Sequence, residues 1–296
     1  VRVPEISVVV PTYNRIETLR HVIPSLLAQD LPAESFEVLV CDSNSNDGTA
    51  EYLAGVHELH PNVEHVPGAY SGRAMARNAG IARARGPVVL FNDSDIVASP
   101  DLLARHLEHH RKERDIAVVG LEVQVRSFED YEEKRDHPEK RGALHPPGRK
   151  RLSWLYFLTG NASVGRDDLL RAGCFDESFT GYGHEDLELG YRLQKAGITI
   201  LYEPRAVNYH WQDVGHEDQV EKMKLAGRST VRFYRKHPDF RVMANLGMTP
   251  VSLGLHSALT KMPWLLGYFD KRAGQSKFAR SLIQQYYYVS GIKSAL

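Results

Sequence analysis

Short unbroken apolar runs alternate with helically spaced apolar positions through the first 125 residues of this chain. Ile6, Val8, Val9 and Val10 form a strand-like run closed by Pro11. Ile16, Leu19, Val22, Ile23, Leu26 and Leu27 then recur at helical spacing, with a kink expected at Pro24. A second strand over 36–40 ends in Cys41 and Asp42, and the polar run 43–48 reads as a loop before Thr49 caps a helix through Leu53. The same alternation predicts strands over 63–66, 88–91 and 117–125. It also predicts helices over 72–84 and 102–111, the latter capped by Ser99, Pro100 and Asp101. Strands apolar on both faces predict an α/β fold with a mostly parallel sheet flanked by helices. No internal repeat is evident.

Residues 126–152 interrupt the pattern. They mix acids and bases, carry Pro138, Pro146 and Pro147, and read as a long mobile loop. Beyond it come a short strand after Thr159, Gly160 and Asn161, a helix over 167–172 stopped by Gly173, and a helix over 187–196 closed by Gly197. Two strand pieces follow, over 199–202 and 206–211. The expected organisation is one α/β domain over 1–236, in halves 1–125 and 153–236 around the loop, with a helical extension over 237–296.

Composition narrows the class. Of 296 residues, 42% are hydrophobic and 25% charged, as in an ordinary globular protein. Basic and acidic residues number 37 each, so no overall field draws in nucleic acid, and no such partner is expected. Cys41 and Cys174 lie in apolar surroundings and read as reduced core thiols. The chain has no stretch of ~18 uninterrupted apolar residues, and its first residues lead straight into a strand. The expectation is a cytoplasmic enzyme.

The candidate chemistry sits at two acidic pairs. The strand over 88–91 opens onto Asn92, Asp93, Ser94 and Asp95, placing two carboxylates at the carboxyl end of a buried strand, where open α/β sheets bind ligands. Hard oxygen donors suit Mg²⁺ or Mn²⁺ held together with substrate phosphates. An Asp-Ser-Asp there is also a common turn and helix cap, but Ser99, Pro100 and Asp101 already serve the next helix. The second pair, Glu185 and Asp186, follows Gly181, Tyr182, Gly183 and His184. At ~100° per residue, Asp186 falls beside Gly190 and Leu193 and faces inward at a helix N-terminus, where the dipole favours a carboxylate. Glu188, Arg192 and Lys195 fall on a solvated stripe.

Together these motifs resemble the inverting glycosyltransferases of family 2, with the GT-A nucleotide-sugar-binding fold. Pro11, Thr12, Tyr13, Asn14 and Arg15 resemble the family's first nucleotide loop, and Asp42 its second strand-end acid, which binds the uracil edge. Gly72, Arg73, Ala76, Arg77, Asn78 and Gly80 resemble the helix bordering the diphosphate, and Asp93, Ser94 and Asp95 the metal motif. The string from Gly181 to Asp186 is similar to the Gly-Trp-Gly-Gly-Glu-Asp box of galactosyl-, N-acetylgalactosaminyl- and chondroitin-type transferases. The resemblance implies Asp186 as base and Glu185 as a grip on the acceptor. It further implies Asp95, Asp93 and His210 as ligands of Mn²⁺ or Mg²⁺, and Gly160, Asn161, Tyr182, Gly183 and His184 as contacts to donor or acceptor sugar. The implied donor is a nucleotide-diphosphate sugar with UDP as the carrier. The implied acceptor is a hydroxyl of a glycan, a lipid-linked molecule or a small molecule. Tyr182 stands where tryptophan is common and His184 where glycine is usual, so the relatives' sugar specificity does not transfer. The Gln-x-x-Arg-Trp motif of processive synthases is missing, which argues for one sugar per encounter.

Two other readings remain open at this stage. Nucleotidyl transfer would ask for a basic glycine-rich loop after the first strand, and Thr12, Tyr13, Asn14 and Arg15 make a poor phosphate cradle. A catalytically inactive nucleotide- or glycan-binding module need not keep both acidic sites. Near the C-terminus, Phe278, Leu282, Ile283, Tyr286, Tyr287 and Val289 make an amphipathic face, with Lys271, Arg272, Lys277 and Arg280 nearby. That face suits a helical cap on the sheet, a homodimer contact, or a peripheral helix on a membrane surface that brings the enzyme to a lipid-linked acceptor.

Overall fold

A computed structural model describes residues 3–141, 150–211 and 216–296. It runs β1 (Ile6–Thr12), α1 (Ile16–Leu27), β2 (Phe36–Asp42), α2 (Thr49–Leu59), β3 (Val63–Pro67), α3 (Arg73–Arg83), β4 (Val88–Phe91), β5 (Ile96–Ala98), α4 (Leu102–His110), β6 (Ile116–Val125) and α5 (Phe128–Asp136). Then follow β7 (Arg151–Leu152), β8 (Ala162–Gly165), α6 (Arg166–Arg171), α7 (Glu185–Lys195) and β9 (Thr199–Trp211). Every residue of β1, β2 and β4 is buried, as expected of strands covered on both faces. Each Val, Ile or Leu so buried contributes roughly 1.5–3 kcal/mol relative to an exposed one.

The strand order is β3-β2-β1-β4-β8-β6-β9-β5, with β7 also paired to β9. The mostly parallel sheet expected from the sequence is found, with shorter antiparallel pairings joined to it. The pairs β1–β2, β2–β3, β1–β4 and β6–β9 are parallel, but β4–β8, β6–β8, β5–β9 and β7–β9 are antiparallel. An apolar strand reveals burial but not direction, so only the regular βα repeats of the first half were legible as parallel. The two strand pieces near 200 are one strand, β9, whose register against β6 jumps from Gly120↔Glu203 to Leu121↔Val207. Asn161 stitches that bulge, its amide donating to Leu121 O and Ala206 O while its own carbonyl accepts from Gly120 N.

Residues 126–152 are not simply a loop. Ser127 caps α5 by accepting from Asp130 N, and Lys134 pairs with Asp130 one turn back. None of the helix's residues is buried, so a cap and ion pairs specify it, which hydrophobic periodicity cannot detect. Residues 142–149 of that stretch, including Pro146 and Pro147, lie outside the described residues. The expected caps also differ. Asp47, not Thr49, accepts from Thr49 N at the start of α2, and Asp101 turns its carboxylate to Arg105.

Glu188 corrects the helical-wheel reading. It is 2% exposed, and it binds Arg192, which also donates to Ala172 O and Cys174 O. Glu188 and Arg192 thus face a neighbouring turn, while Lys195 is exposed.

Residues 181–184 and 214–296 form a second compact unit. The second unit therefore starts earlier than the extension expected from residue 237. It holds α8 (His216–Lys236), α9 (Phe240–Asn245), α10 (Pro250–Thr260), α11 (Pro263–Arg272) and α12 (Lys277–Ala295). Gly227 and Gly291 let α8 and α12 touch, since a Cβ at either would overlap a backbone carbonyl of the other helix. No residue of α11 is buried, and Trp264 is 72% exposed. Among the described residues no helix is long and apolar enough to cross a membrane.

Candidate active site

The turn after β4 organises the first acidic pair. Asn92 is fully buried, and its amide donates to Asp93 O and Ile96 O, closing the chain into β5. The two carboxylates leave this turn in different directions. Asp93 accepts from Arg77 Nη2 at 2.8 Å, whereas Asp95 Oδ1 stands 3.6 Å from His210 Nε2. In this structure Asp93 thus pairs with Arg77, and Asp95 is the carboxylate that faces His210. No cluster of three acids, histidines or cysteines poised for a metal exists among the described residues.

Arg77, on α3, is 1% exposed and joins the two acidic pairs. Its Nη1 donates to Glu185 Oε1 at 3.0 Å while Nη2 holds Asp93. A guanidinium suits this position because its fork reaches two carboxylates at once. Arg77 Nε and Glu185 Oε2 are buried with no hydrogen-bond partner among the described residues. Burial opposes ionisation of Asp93, yet the charges of Arg77 and then Arg73 hold its carboxyl below the usual range.

Asp186 behaves in the opposite way. Burial, then the charge of Glu185, pushes its carboxyl up to about 7, against the lowering influence of Arg77 and of the Leu187 N–H. That N–H donates to Oδ1 at 2.7 Å, and Oδ2 is the other oxygen of the group. A carboxylate raised towards neutrality at a helix N-terminus has the basicity of a proton acceptor at physiological pH.

On the other flank, His210 lies one residue before the end of β9 with Nδ1 at 2.8 Å from Glu122 Oε1. Burial disfavours its charged form, but the Glu122 hydrogen bond, with Glu122, Asp95 and Asp93 as charges, lifts its pKa overall. Asp95 is raised by burial and by Asp93. Sequence reasoning missed Glu122. The available signal was the polar alternation of Glu122 and Gln124 between Leu121, Val123 and Val125, which marks one wet face of an otherwise apolar strand.

The loops after β1 and β2 interlock. Asn14, at φ 49°, accepts from Asn46 N and donates its own N–H to Ser45, and Asp47 reaches across to Ile16 N. Asp42 is 2% exposed, with one oxygen held by Ser45 and the other 3.1 Å from His65 Nε2. Tyr13 is 61% exposed. Thr12 and Ser94 are buried, and Arg15 sits just before α1 with its charge felt at Asp95. Asn78 spends its amide pinning the chain at Phe175 and Glu177, which is a structural duty.

The sequence matches Glycosyl transferase family 2 over residues 7–173. The chain belongs to that family. It is 28% identical over 267 residues to the glycosyltransferase YfnE of Bacillus subtilis, covering 74% of this chain and 67% of the relative. It is 32% identical over 271 residues to validoxylamine A glucosyltransferase of Streptomyces hygroscopicus, covering 80% of this chain and 62% of the relative, so it spans about two thirds or less of their length. In fold it is similar to the mannosyltransferase PcManGT of Pyrobaculum calidifontis, solved with GDP-Man and Mn²⁺, at TM-score 0.68 and 21% identity over 99% of this chain and 87% of that one. The α/β architecture is that of the GT-A glycosyltransferases.

The family match ends before α7 and β9, so Asp186 and His210 stand on geometry rather than on that match. Of the expected sugar contacts, Asn161 is 2% exposed and committed to the β6–β9 bulge and to His106. That corrects its reading as a sugar-binding side chain. Gly160 lies against Glu122. Tyr182, Gly183 and His184 fall in the second unit, where Tyr182 O accepts from Ser229 and His184 Nε2 meets Thr230 Oγ1 at 2.8 Å. His184 keeps a left-handed φ of 73°, a conformation that glycine adopts without strain.

Proposed function

We propose that this family-2 chain is a metal-dependent inverting glycosyltransferase that moves one sugar from a nucleoside-diphosphate sugar, with uridine as the carrier base, to an acceptor hydroxyl. The observation that carries this reading is the pair of flanks joined by Arg77: a carboxylate raised to about 7 at Asp186 on one side, and Asp95 opposite His210 on the other.

The donor set on the second flank fits a divalent cation. Asp95 Oδ1 and His210 Nε2 are 3.6 Å apart, too far for a hydrogen bond. Two ligands each about 2.1 Å from one ion stand at such a spacing. Asp95 and His210 would hold the ion, with diphosphate oxygens and water completing its shell, and it would neutralise the charge that develops on the leaving diphosphate.

The remaining steps belong to the chain. Tyr13 offers a ring for the base to stack on beside Asp42. Arg73 and Arg77 border the diphosphate and fix the acidic pairs. Asp186 Oδ2 takes the proton of the acceptor hydroxyl as its oxygen bonds to the anomeric carbon, and the bond from that carbon to the phosphate oxygen breaks to release nucleoside diphosphate. Glu185, locked by Arg77, keeps one oxygen for an acceptor hydroxyl. With a base and no second carboxylate placed as nucleophile, a single displacement inverts the anomeric centre.

Two features support a lipid-linked or membrane-proximal acceptor. Residues 214–296 carry 13 lysines and arginines against five acids in a chain that is neutral overall, and α11 buries none of its side chains. The test is nucleotide release from UDP- and GDP-sugars with Mn²⁺, against glycan and lipid-linked acceptors. Acceptor-dependent UDP release is expected. Pyrophosphate release would favour nucleotidyl transfer, and binding without turnover an inactive module.

A further inference from the structure

Glu122 has no role in the reaction as described, yet the fold invests several residues in placing it. In the parallel pairing of β6 with β9, Gln124 lies opposite His210 and Glu122 opposite Asn208. Residues two apart on a strand share a face, so Glu122, Gln124 and His210 project together. Glu122 Oε1 accepts from Gln124 Nε2 at 2.7 Å and meets His210 Nδ1 at 2.8 Å. Its second oxygen lies over Gly160, where a Cβ would overlap Glu122 Oε2 and crowd Ile96. Gly160 is in turn fixed by Asn208, whose amide donates to its carbonyl at 2.6 Å.

We propose that Glu122 is a positioning residue that orients His210 as a metal ligand, and that position 160 is glycine to make room for its carboxylate. The proposal rests on the metal reading above. A carboxylate oxygen accepts hydrogen bonds, so the Nδ1 beside Glu122 donates to it, and Nε2, 3.6 Å from Asp95 Oδ1, keeps its lone pair for a metal. A histidine ligand whose other nitrogen donates to a carboxylate is fixed in tautomer and ring angle and is the more basic for it. Gln124 holds the carboxylate at the correct height, and the Asn208–Gly160 bond keeps the floor beneath it flat.

The test uses the intact chain and reads metal rather than turnover. Calorimetric Mn²⁺ binding in the presence of UDP is compared for wild type, Glu122→Ala and Gly160→Ala, with a thermal melt of each. The expected result is Mn²⁺ affinity weaker by about 10- to 100-fold in both variants, with metal-free UDP binding unchanged. ¹⁵N NMR of His210 in the wild type, in its neutral form, needs no variant and should show the proton on Nδ1. Unchanged Mn²⁺ affinity in folded Glu122→Ala, or a proton on Nε2 in the wild type, would overturn the inference and leave the metal reading intact. No Mn²⁺ binding by the wild type would remove both.

Discussion

Asp186→Asn is expected to lower kcat by at least about a hundredfold, the low end of what a general base contributes, without loss of stability. The substitution keeps the shape and the Leu187 N–H contact but cannot take a proton. Because burial and Glu185 both disfavour the charge at this position, a neutral amide should be tolerated, and the variant should melt no lower than the wild type. The pH profile adds a signed test. The base works only when ionised and its pKa is raised to about 7, so wild-type kcat should climb as pH rises towards 7 and level off above it. The residual rate of the variant should lose that step. Steady-state transfer beside calorimetric UDP binding checks all of this, and near-normal turnover would move the base elsewhere, with Glu185 next in line.

The second large effect concerns the metal. Chelation by EDTA is expected to cost about a thousandfold or more, since a cation stabilising the leaving diphosphate is worth several kcal/mol and each 1.36 kcal/mol is about tenfold in rate. Asp95→Ala should behave alike and resist rescue by saturating donor. Asp93→Asn should not: its carboxylate faces Arg77, so Mn²⁺ affinity should stay close to wild type while turnover falls through the disturbed Arg77–Glu185 pair. Full activity in EDTA would sink the metal assignment. Equal loss of Mn²⁺ binding in the Asp93 and Asp95 variants would restore the three-ligand arrangement suggested by sequence alone.

Much of this architecture was legible in the sequence because its first half is made of simple repeats. β1, β2 and β4 are apolar on both faces and could be little else, and the acids at their carboxyl ends, Asp42, Asp93 and Asp95, follow from counting to where the apolar run stops. The inward direction of Asp186 was legible from its helical angle. The same construction failed for Glu188, because a wheel gives a direction but not what stands there, and the turn carrying Ala172 and Cys174 stands there. Glu122 escaped because its partner is 88 residues away, across a strand pairing that no local pattern encodes. Arg77 was recognised as a residue near the diphosphate, but not as the cation that divides the Asp93–Asp95 pair. That division depends on Arg77 reaching both Asp93 and, 108 residues away, Glu185, a fact of tertiary structure rather than of local pattern.

The central claim is a single displacement driven by Asp186, and the anomeric configuration of the product tests it most directly. From an α-linked UDP-sugar, the linkage formed in the first turnovers, read from the anomeric proton by NMR, is predicted to be β. An α-linked product would contradict the account, because a single in-line displacement by the acceptor oxygen inverts the anomeric carbon.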